Sequence, residues 1–215
     1  MKKMFVCLAK SARNHGVCLA GKEVVAGNAC GKWFRPVTPN GEVESALAQH
    51  IAIGDIVSCE VQSPEPLPTQ PENYKLSAEP NFEIISRMPR NRLADLLDSP
   101  FSLWNVRLKS GGYALHHERI DASVRTRASL YFIRIEQGII TKIPYAQEHA
   151  RLRLAFDYHH VTYTLPTTAF DLNDIYWKKL DVGESATIPA CLLALSLALP
   201  HNGYCYKLVA GYVPL

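Results

Sequence analysis

The sequence has no Cys-x-x-Cys pair among its six cysteines, Cys7, Cys18, Cys30, Cys59, Cys191 and Cys205, so a zinc ribbon or a thioredoxin-type centre is not expected. It has no phosphate-binding Gly-x-x-x-x-Gly-Lys, no Gly-x-Gly-x-x-Gly, no Gly-x-Ser-x-Gly and no His-Glu-x-x-His. Nothing in it resembles a secretory h-region: the stretch after Met1-Lys2-Lys3-Met4 is too short. Its longest apolar run, from Ile188 to Pro200, is shorter than the roughly 20 residues a spanning helix needs. Nor is there a strong excess of charge of one sign, the net being only +3. These absences lead us to expect a cytoplasmic protein with reduced thiols, no metal, no cofactor and no membrane partner. Cys7, Cys59 and Cys191 lie inside apolar runs, where free cysteine packs as a small hydrophobe.

What is present is a chain of 215 residues, 47% hydrophobic and 20% charged, long enough to bury a core unaided. Charge is unevenly distributed. Residues 1–35 hold seven Lys/Arg against one acid, residues 36–86 one against eight, and residues 87–134 nine against four. Two basic blocks thus flank an acidic one, a pattern that points to a polyanion-binding face if folding unites the blocks.

The periodicity predicts a mainly β protein. Phe5 to Ala9, Val17 to Val25 and Lys32 to Val37 read as strands, with a turn-rich joint from Gly27 to Gly31. In Ile53 to Val61 the alternation puts Val57, Cys59 and Val61 on one face and Ile56, Ser58 and Glu60 on the other. Helix is expected only over Glu42 to His50 and over Asn91 to Leu97, the latter with Asn91 as N-cap. Pro64, Pro66, Pro68 and Pro71 make 63–71 an extended connector. Beyond it, Tyr131 to Ile135 and Ile139 to Ile143 read as a hairpin turning at Gly138. Arg151 to Tyr158 alternates, with Val161 to Leu165 answering across His159-His160. Ala190 to Leu199 and Tyr204 to Tyr212 close the chain around Pro200 to Gly203. Two runs of short strands on either side of a Pro-rich connector imply two small barrels. We place the first over 1–80, including the connector at 63–80. The second falls within 81–215, after a short helical linker at about 87–104.

Several strings occur in order: Cys7-Leu8-Ala9-Lys10-Ser11, Val17-Cys18-Leu19-Ala20-Gly21, Trp33-Phe34-Arg35-Pro36-Val37, Gln70-Pro71-Glu72-Asn73-Tyr74 and Tyr206-Lys207-Leu208-Val209-Ala210-Gly211. Together they resemble the bacterial dual OB-containing domain family, over nearly the whole chain. The sequence departs from that pattern near Thr164 to Ala169, where the resemblance implies an Asp after the threonine. The resemblance implies two OB-like β-barrels with few short helices, and hence nucleic-acid binding as an expectation. It supplies no catalytic residues.

The candidate binding residues fall in both basic blocks. The first offers Lys10, Arg13, Lys22, Lys32 and Arg35, interleaved with Trp33 and Phe34. Single strands are held by cations that follow the phosphates and rings on which bases stack, and Lys32-Trp33-Phe34-Arg35 has both. On a strand Trp33 and Arg35 share a face and Phe34 takes the other, so one ring belongs to the core. The structural alternative packs Trp33 under the Pro-rich loop and leaves the cations as a solvated rim. The second block offers Arg119, Arg125, Arg127 and Arg134 with Tyr113 and Tyr131. Val124 to Arg127, read as a strand, puts both arginines on one face, where they bind phosphate or pair with acidic side chains.

Spacing selects no catalytic set. Ser11 with His15 or His201, or His117 with Asp121, would need a geometry that only folding supplies. The adjacent pairs His116-His117 and His159-His160 point to opposite faces on a strand and do not chelate one ion there. The leading expectation is a non-catalytic module for single-stranded DNA or RNA, acting with a separate effector. The alternatives are a scaffold holding a partner protein in a bacterial defence system, such as phage defence, or in repair, and a small nucleotide sensor with its pocket between the barrels.

Overall fold

The structure, a computed structural model, describes residues 1–13, 16–38, 41, 43–104, 117–145 and 149–215. The side chains of Arg13 and Cys30 lie outside that description, as do His15, Glu42, Gly111, Gly112, Tyr113 and His116. The strands are β1 (Lys2–Arg13), β2 (Gly16–Val25), β3 (Asn28–Val37), β4 (Val43–Glu44), β5 (Asp55–Pro64), β6 (Asn73–Leu76) and β7 (Phe82–Arg87) in the first half. The second half holds β8 (Arg119–Asp121), β9 (Leu130–Ile135), β10 (Gly138–Tyr145), β11 (His149–Tyr158), β12 (Val161–Pro166), β13 (Ser185–Ile188), β14 (Cys191–Leu197) and β15 (Tyr204–Pro214). Two short helices, α1 (Ser45–Ala48) and α2 (Phe170–Tyr176), and a 3-10 turn over Arg90–Leu96 complete the described elements. Asn91 is therefore inside that turn, and Pro89 holds the cap position instead.

Each half closes on itself in the same strand order. In the first, β1 pairs β2, β2 pairs β3, β3 runs parallel to β6, β6 pairs β5, and β5 returns to β1. In the second, β9 and β10 act as two legs of one bent strand, and so do β13 and β14. β10 pairs β11, β11 pairs β12, and β12 leads to a parallel bridge between Thr167 and Val209 of β15. β15 pairs β14, and β14 and β13 return to β9 and β10. α1 and α2 occupy matching places, each between the third and fourth strands of its ring. This five-stranded, partly open arrangement is an OB-like barrel, built twice.

The expected hairpin at Gly138 is replaced by that bend. Gly138 pairs with both Phe156 and Ile188, and a Cβ there would lie 2.8 Å from the Leu154 side chain. Close approach at a strand bend, rather than a turn, is why glycine occupies the position. A true two-residue turn does occur at His159-His160, where both residues take positive φ, 47° and 63°.

Three apolar cores result. Phe5, Cys7, Leu19, Phe34, Val57 and Cys59 fill the first barrel, and Ile133, Leu154, Phe156, Tyr163, Leu193 and Val209 are among those filling the second. A third core lies between the barrels, where Val6, Leu8, Ala20 and Val24 meet Leu130, Phe132, Leu192, Ala194, Ala210 and Val213. The unbroken apolar runs of Phe5–Ala9 and Cys191–Leu195 follow from this: each strand is buried on both faces, one toward its own barrel and one toward its neighbour. Backbones meet there as well. A Cβ on Gly211 would lie 2.2 Å from the Leu8 carbonyl oxygen.

Candidate functional site

Two surfaces compete for the role: the seam between the barrels and the outward face of the second barrel.

The seam takes up most of the candidates from the first basic block. Phe34 points into the first barrel, and its neighbours Trp33 and Arg35 point out, onto the second. Trp33 donates its indole N–H to Asp98 Oδ2 at 2.9 Å, and the same oxygen accepts the Phe132 N–H at 2.8 Å. Asp98 Oδ1 accepts from Lys22 Nζ at 2.5 Å, and that ammonium stands 4.6 Å from the Trp33 ring centroid. Lys22 is 2% exposed, so this ion pair sits in the contact itself. Arg35, 7% exposed, donates through Nη2 to Ser129 Oγ at 2.9 Å and Ser196 Oγ at 3.2 Å. Glu72 accepts from the Ser129 N–H at 2.7 Å and its hydroxyl at 3.0 Å. Trp33 therefore packs against the second barrel and Asp98, not beneath the Pro-rich loop.

The hydrogen bonds lay 126–132 alongside β3 and the 68–72 loop, since Thr126 N–H also donates to Pro68 O at 3.0 Å. Lys32, Trp33, Arg35, Arg125 and Arg127 are thus brought to one seam, whereas Tyr131, between the seam residues Leu130 and Phe132, turns to the opposite face, onto the core of the second barrel. Lys32, Arg125 and Arg127 are exposed on its rim, with no carboxylate partner among the described residues. Val124 to Arg127 is irregular rather than a strand, yet its exposure alternates and keeps both arginines outward. Tyr131 stacks on Trp104 with centroids 4.6 Å apart, and burial raises its phenol pKa. Lys10 is held elsewhere, donating to Gln49 O at 3.0 Å and Ile51 O at 2.7 Å. The side chain of Arg13 lies outside the described residues.

The second surface is the outside of β10, β11 and β12. Leu152, Leu154 and Phe156 enter the core, so His149, Arg151, Arg153 and Asp157 face outward on β11. Register places Tyr145 opposite His149 and Ile143 opposite Arg151. The Arg151 guanidinium stacks on the Tyr145 ring at 4.3 Å, and Tyr145 is 52% exposed. Arg153 bonds the Glu118 carboxylate and the Thr164 carbonyl. Next in the chain, Arg119 stacks on Tyr204 at 3.9 Å and reaches Tyr206 OH at 3.5 Å. Ile120 and Cys205 point into the core, so Arg119, Tyr204 and Tyr206 share the outer side. Of the earlier candidates only Arg119 belongs here. Arg151, Tyr145 and His149 are not among the sequence candidates; the alternation of Arg151 to Tyr158 makes the outward position of Arg151 readable, and Tyr145 and His149 follow only from the β10–β11 register.

Cys7, Cys18, Cys59, Cys191 and Cys205 are free thiols, and burial pushes Cys59 and Cys191 up to about 12. Buried, protonated thiols of this kind are poor nucleophiles. Among the described residues no three His, Cys, Asp or Glu side chains gather as a metal set, and no helix is long and apolar enough to cross a membrane.

A solved structure described as "Structure of murine DNA binding protein bound with ds DNA" aligns with 99% of this chain and 95% of that one. Its identity is 6% and its TM-score 0.32, a likeness too remote to bear on fold or ligand. No curated protein matches the sequence. The doubled ring order described above has its counterpart in a family model, the Dual OB-containing domain, which matches residues 3–212; the chain belongs to that family.

Proposed function

We propose that the protein is a non-catalytic binder of single-stranded nucleic acid, acting beside a separate effector, and that the strand lies on the outward face of the second barrel. One observation carries this reading: two arginine–tyrosine stacks, Arg151 on Tyr145 and Arg119 on Tyr204, stand on the outside of one barrel. OB barrels bind oligonucleotides on the surface of their second and third strands, which here are β11 and β12. Arginine supplies a planar fork for phosphate, and an exposed ring supplies a platform worth about 1–3 kcal/mol per stacked base. Lys32, Arg125 and Arg127 form a second cationic rim along the seam, where they add long-range attraction.

The test is fluorescence anisotropy with labelled single strands of DNA and RNA across a salt series. Binding should weaken with salt, each neutralised phosphate contributing a slope of about 0.7. Arg151→Ala should weaken binding and flatten the slope. Tyr145→Phe should keep affinity and Tyr145→Ala should lose it, with the slope unchanged. Absence of binding at low salt would reject the reading.

A protein-interaction role is favoured by one other feature. β7 pairs only with β5 among the described strands, and it exposes Ile84 and Ile85 at 40% and 47%. Such an edge accepts an added strand from a partner.

A further inference from the structure

A cleft follows the polar half of the barrel–barrel contact. It has two lobes, of about 330 and 210 Å³, which share Gln70 and Leu199 as walls. Its floor comes from the parallel pairing of β3 with β6, which makes Arg35 and Asn73 direct neighbours. Phe34 and Tyr74, the next residues, turn into the first barrel, so Arg35 and Asn73 turn outward. Arg35 lines the larger lobe and Asn73 the smaller. The polar groups are fixed from both barrels: Gln70 Nε2 donates to Leu197 O at 2.9 Å, and Gln70 Oε1 accepts from Asn73 Nδ2 at 3.2 Å.

This arrangement leaves one acceptor unused. Asn73 is 3% exposed, yet its Oδ1 has no hydrogen-bond partner. Buried polar atoms are nearly always satisfied, so an orphan at the wall of a cleft marks a place where a donor belongs. Glu65, whose N–H donates to the Asn73 carbonyl at 2.8 Å, adds a carboxylate to the same lobe. Val37, Leu67 and Leu199 supply the apolar walls, and Thr38 and Gly41 complete the lining. Apolar walls with an acceptor-rich edge suit a flat ring that carries N–H donors along one side.

We propose that this inter-barrel cleft is a nucleobase site, selective for bases with an exocyclic amino group, which donates to Asn73 Oδ1. The inference rests on the nucleic-acid reading for its choice of ligand, but it uses different residues. The base comes either as a free nucleoside or as the end of a bound strand. The two surfaces approach each other where β12 ends: Pro166 pairs with Arg153, and Thr168 O accepts from the N–H of the cleft residue Ala12 at 2.8 Å.

The test uses the full chain and two ligand sets. The first is adenosine, cytidine and guanosine, against uridine and purine riboside, which lack the amino group, read by calorimetry and thermal shift. The second is short labelled strands differing only in the terminal base. Amino-bearing bases should bind at least about tenfold more tightly than their counterparts, because a site built around a hydrogen bond rejects the analogue that cannot make it. Asn73→Ala should erase that preference, and Asn73→Asp, which keeps the acceptor, should retain it. Leu199→Trp fills both lobes without touching the polar groups, and should abolish base preference with the melting temperature unchanged. Preference among nucleosides identifies a free ligand, and preference only among strand ends identifies a strand-borne base; both support the cleft. Strands that bind without base preference, indifferent to Leu199→Trp, overturn the cleft and leave the outer face standing. Nucleosides that bind while strands do not would overturn the outer face and leave the cleft. No binding in either set overturns both.

Discussion

The two barrels share one strand order and use the same surface in opposite ways. In the first, the outside of the second and third strands, β2 and β3, carries Lys22, Trp33 and Arg35, and it is covered by the second barrel through Asp98, Ser129 and Ser196. In the second, the outside of β11 and β12 carries Arg151, Arg153 and Thr164, and Tyr145 beside them is half exposed. The same chemistry, cations interleaved with aromatics, builds an interface in one copy and leaves an open face in the other. Which of the two a Lys-Trp-Phe-Arg string becomes depends on what the rest of the chain lays over it.

The shared core should make the comparison breakable at one residue. Gly211→Ala pushes a Cβ to within 2.2 Å of the Leu8 carbonyl oxygen, a backbone atom that cannot step aside. Urea unfolding should show a loss of about 3 kcal/mol or more, with both halves melting in one transition. Two separated transitions would mean that the barrels are stable independently of their contact.

A somewhat smaller effect is expected at the ion pair that joins the barrels. Asp98→Ala leaves the Lys22 ammonium buried without its carboxylate, and breaking such a pair costs about 3 kcal/mol. Thermal and denaturant melts should show it, and Lys22→Met in the same background should recover part of the loss.

The sharpest contrast is between two arginines. Arg35→Ala removes the donor to Ser129 and Ser196 and should cost about 1–3 kcal/mol of stability. Arg151→Ala should stay within about 0.5 kcal/mol of wild type, as surface substitutions do, yet weaken strand binding. If Arg35→Ala proves fully stable and impairs only binding, the roles assigned to the two barrels are reversed.

A further expected effect is a pH dependence set by one side chain of the second barrel. Lys207 is fully buried, 5.3 Å from the Tyr163 ring centroid, and burial pushes its ammonium down to about 7 from an ordinary 10.5. Between about pH 7 and 10 the unfolded chain holds a proton that the folded one has released, so stability rises with pH through that window. Below pH 7 both states are charged and the fold bears a buried cation. Lys207→Met should therefore stabilise most at pH 6, with the gain shrinking toward pH 10. A gain that does not change with pH would show that packing, not charge, decides at this position.

Much of this fold was legible in the sequence because alternation and turn residues are local signals. Alternation puts Val57, Cys59 and Val61 on a common face, which in the fold is the inward one, separates Phe34 from Trp33 and Arg35, and sets the His159-His160 turn between its strands. The bend at Gly138 is not legible in the sequence, because a glycine between two apolar runs looks the same whether the runs pair with each other or with β14 and β13. The site was less legible. Trp33 and Arg35 are outward residues, as expected, but "outward" from one barrel here means "into" the next, and no local pattern records that. Asp98, which satisfies Trp33, Lys22 and Phe132 at once, stands 65 residues from Trp33 in a segment with no motif. Arg151 and Tyr145 needed the β10–β11 register before they could be placed side by side.

Strand binding measured at low salt for two variant proteins tests the central claim most directly. One carries Arg119→Ala and Arg151→Ala on the outer face, and the other Lys32→Ala, Arg125→Ala and Arg127→Ala on the seam rim. The outer-face variant removes fewer charges, yet should lose about tenfold or more in affinity for single strands, while the rim variant loses only what reduced long-range attraction accounts for and converges on wild type as salt rises. Equal binding by the outer-face variant and wild type, with binding lost in the rim variant, would contradict the claim and move the strand to the seam.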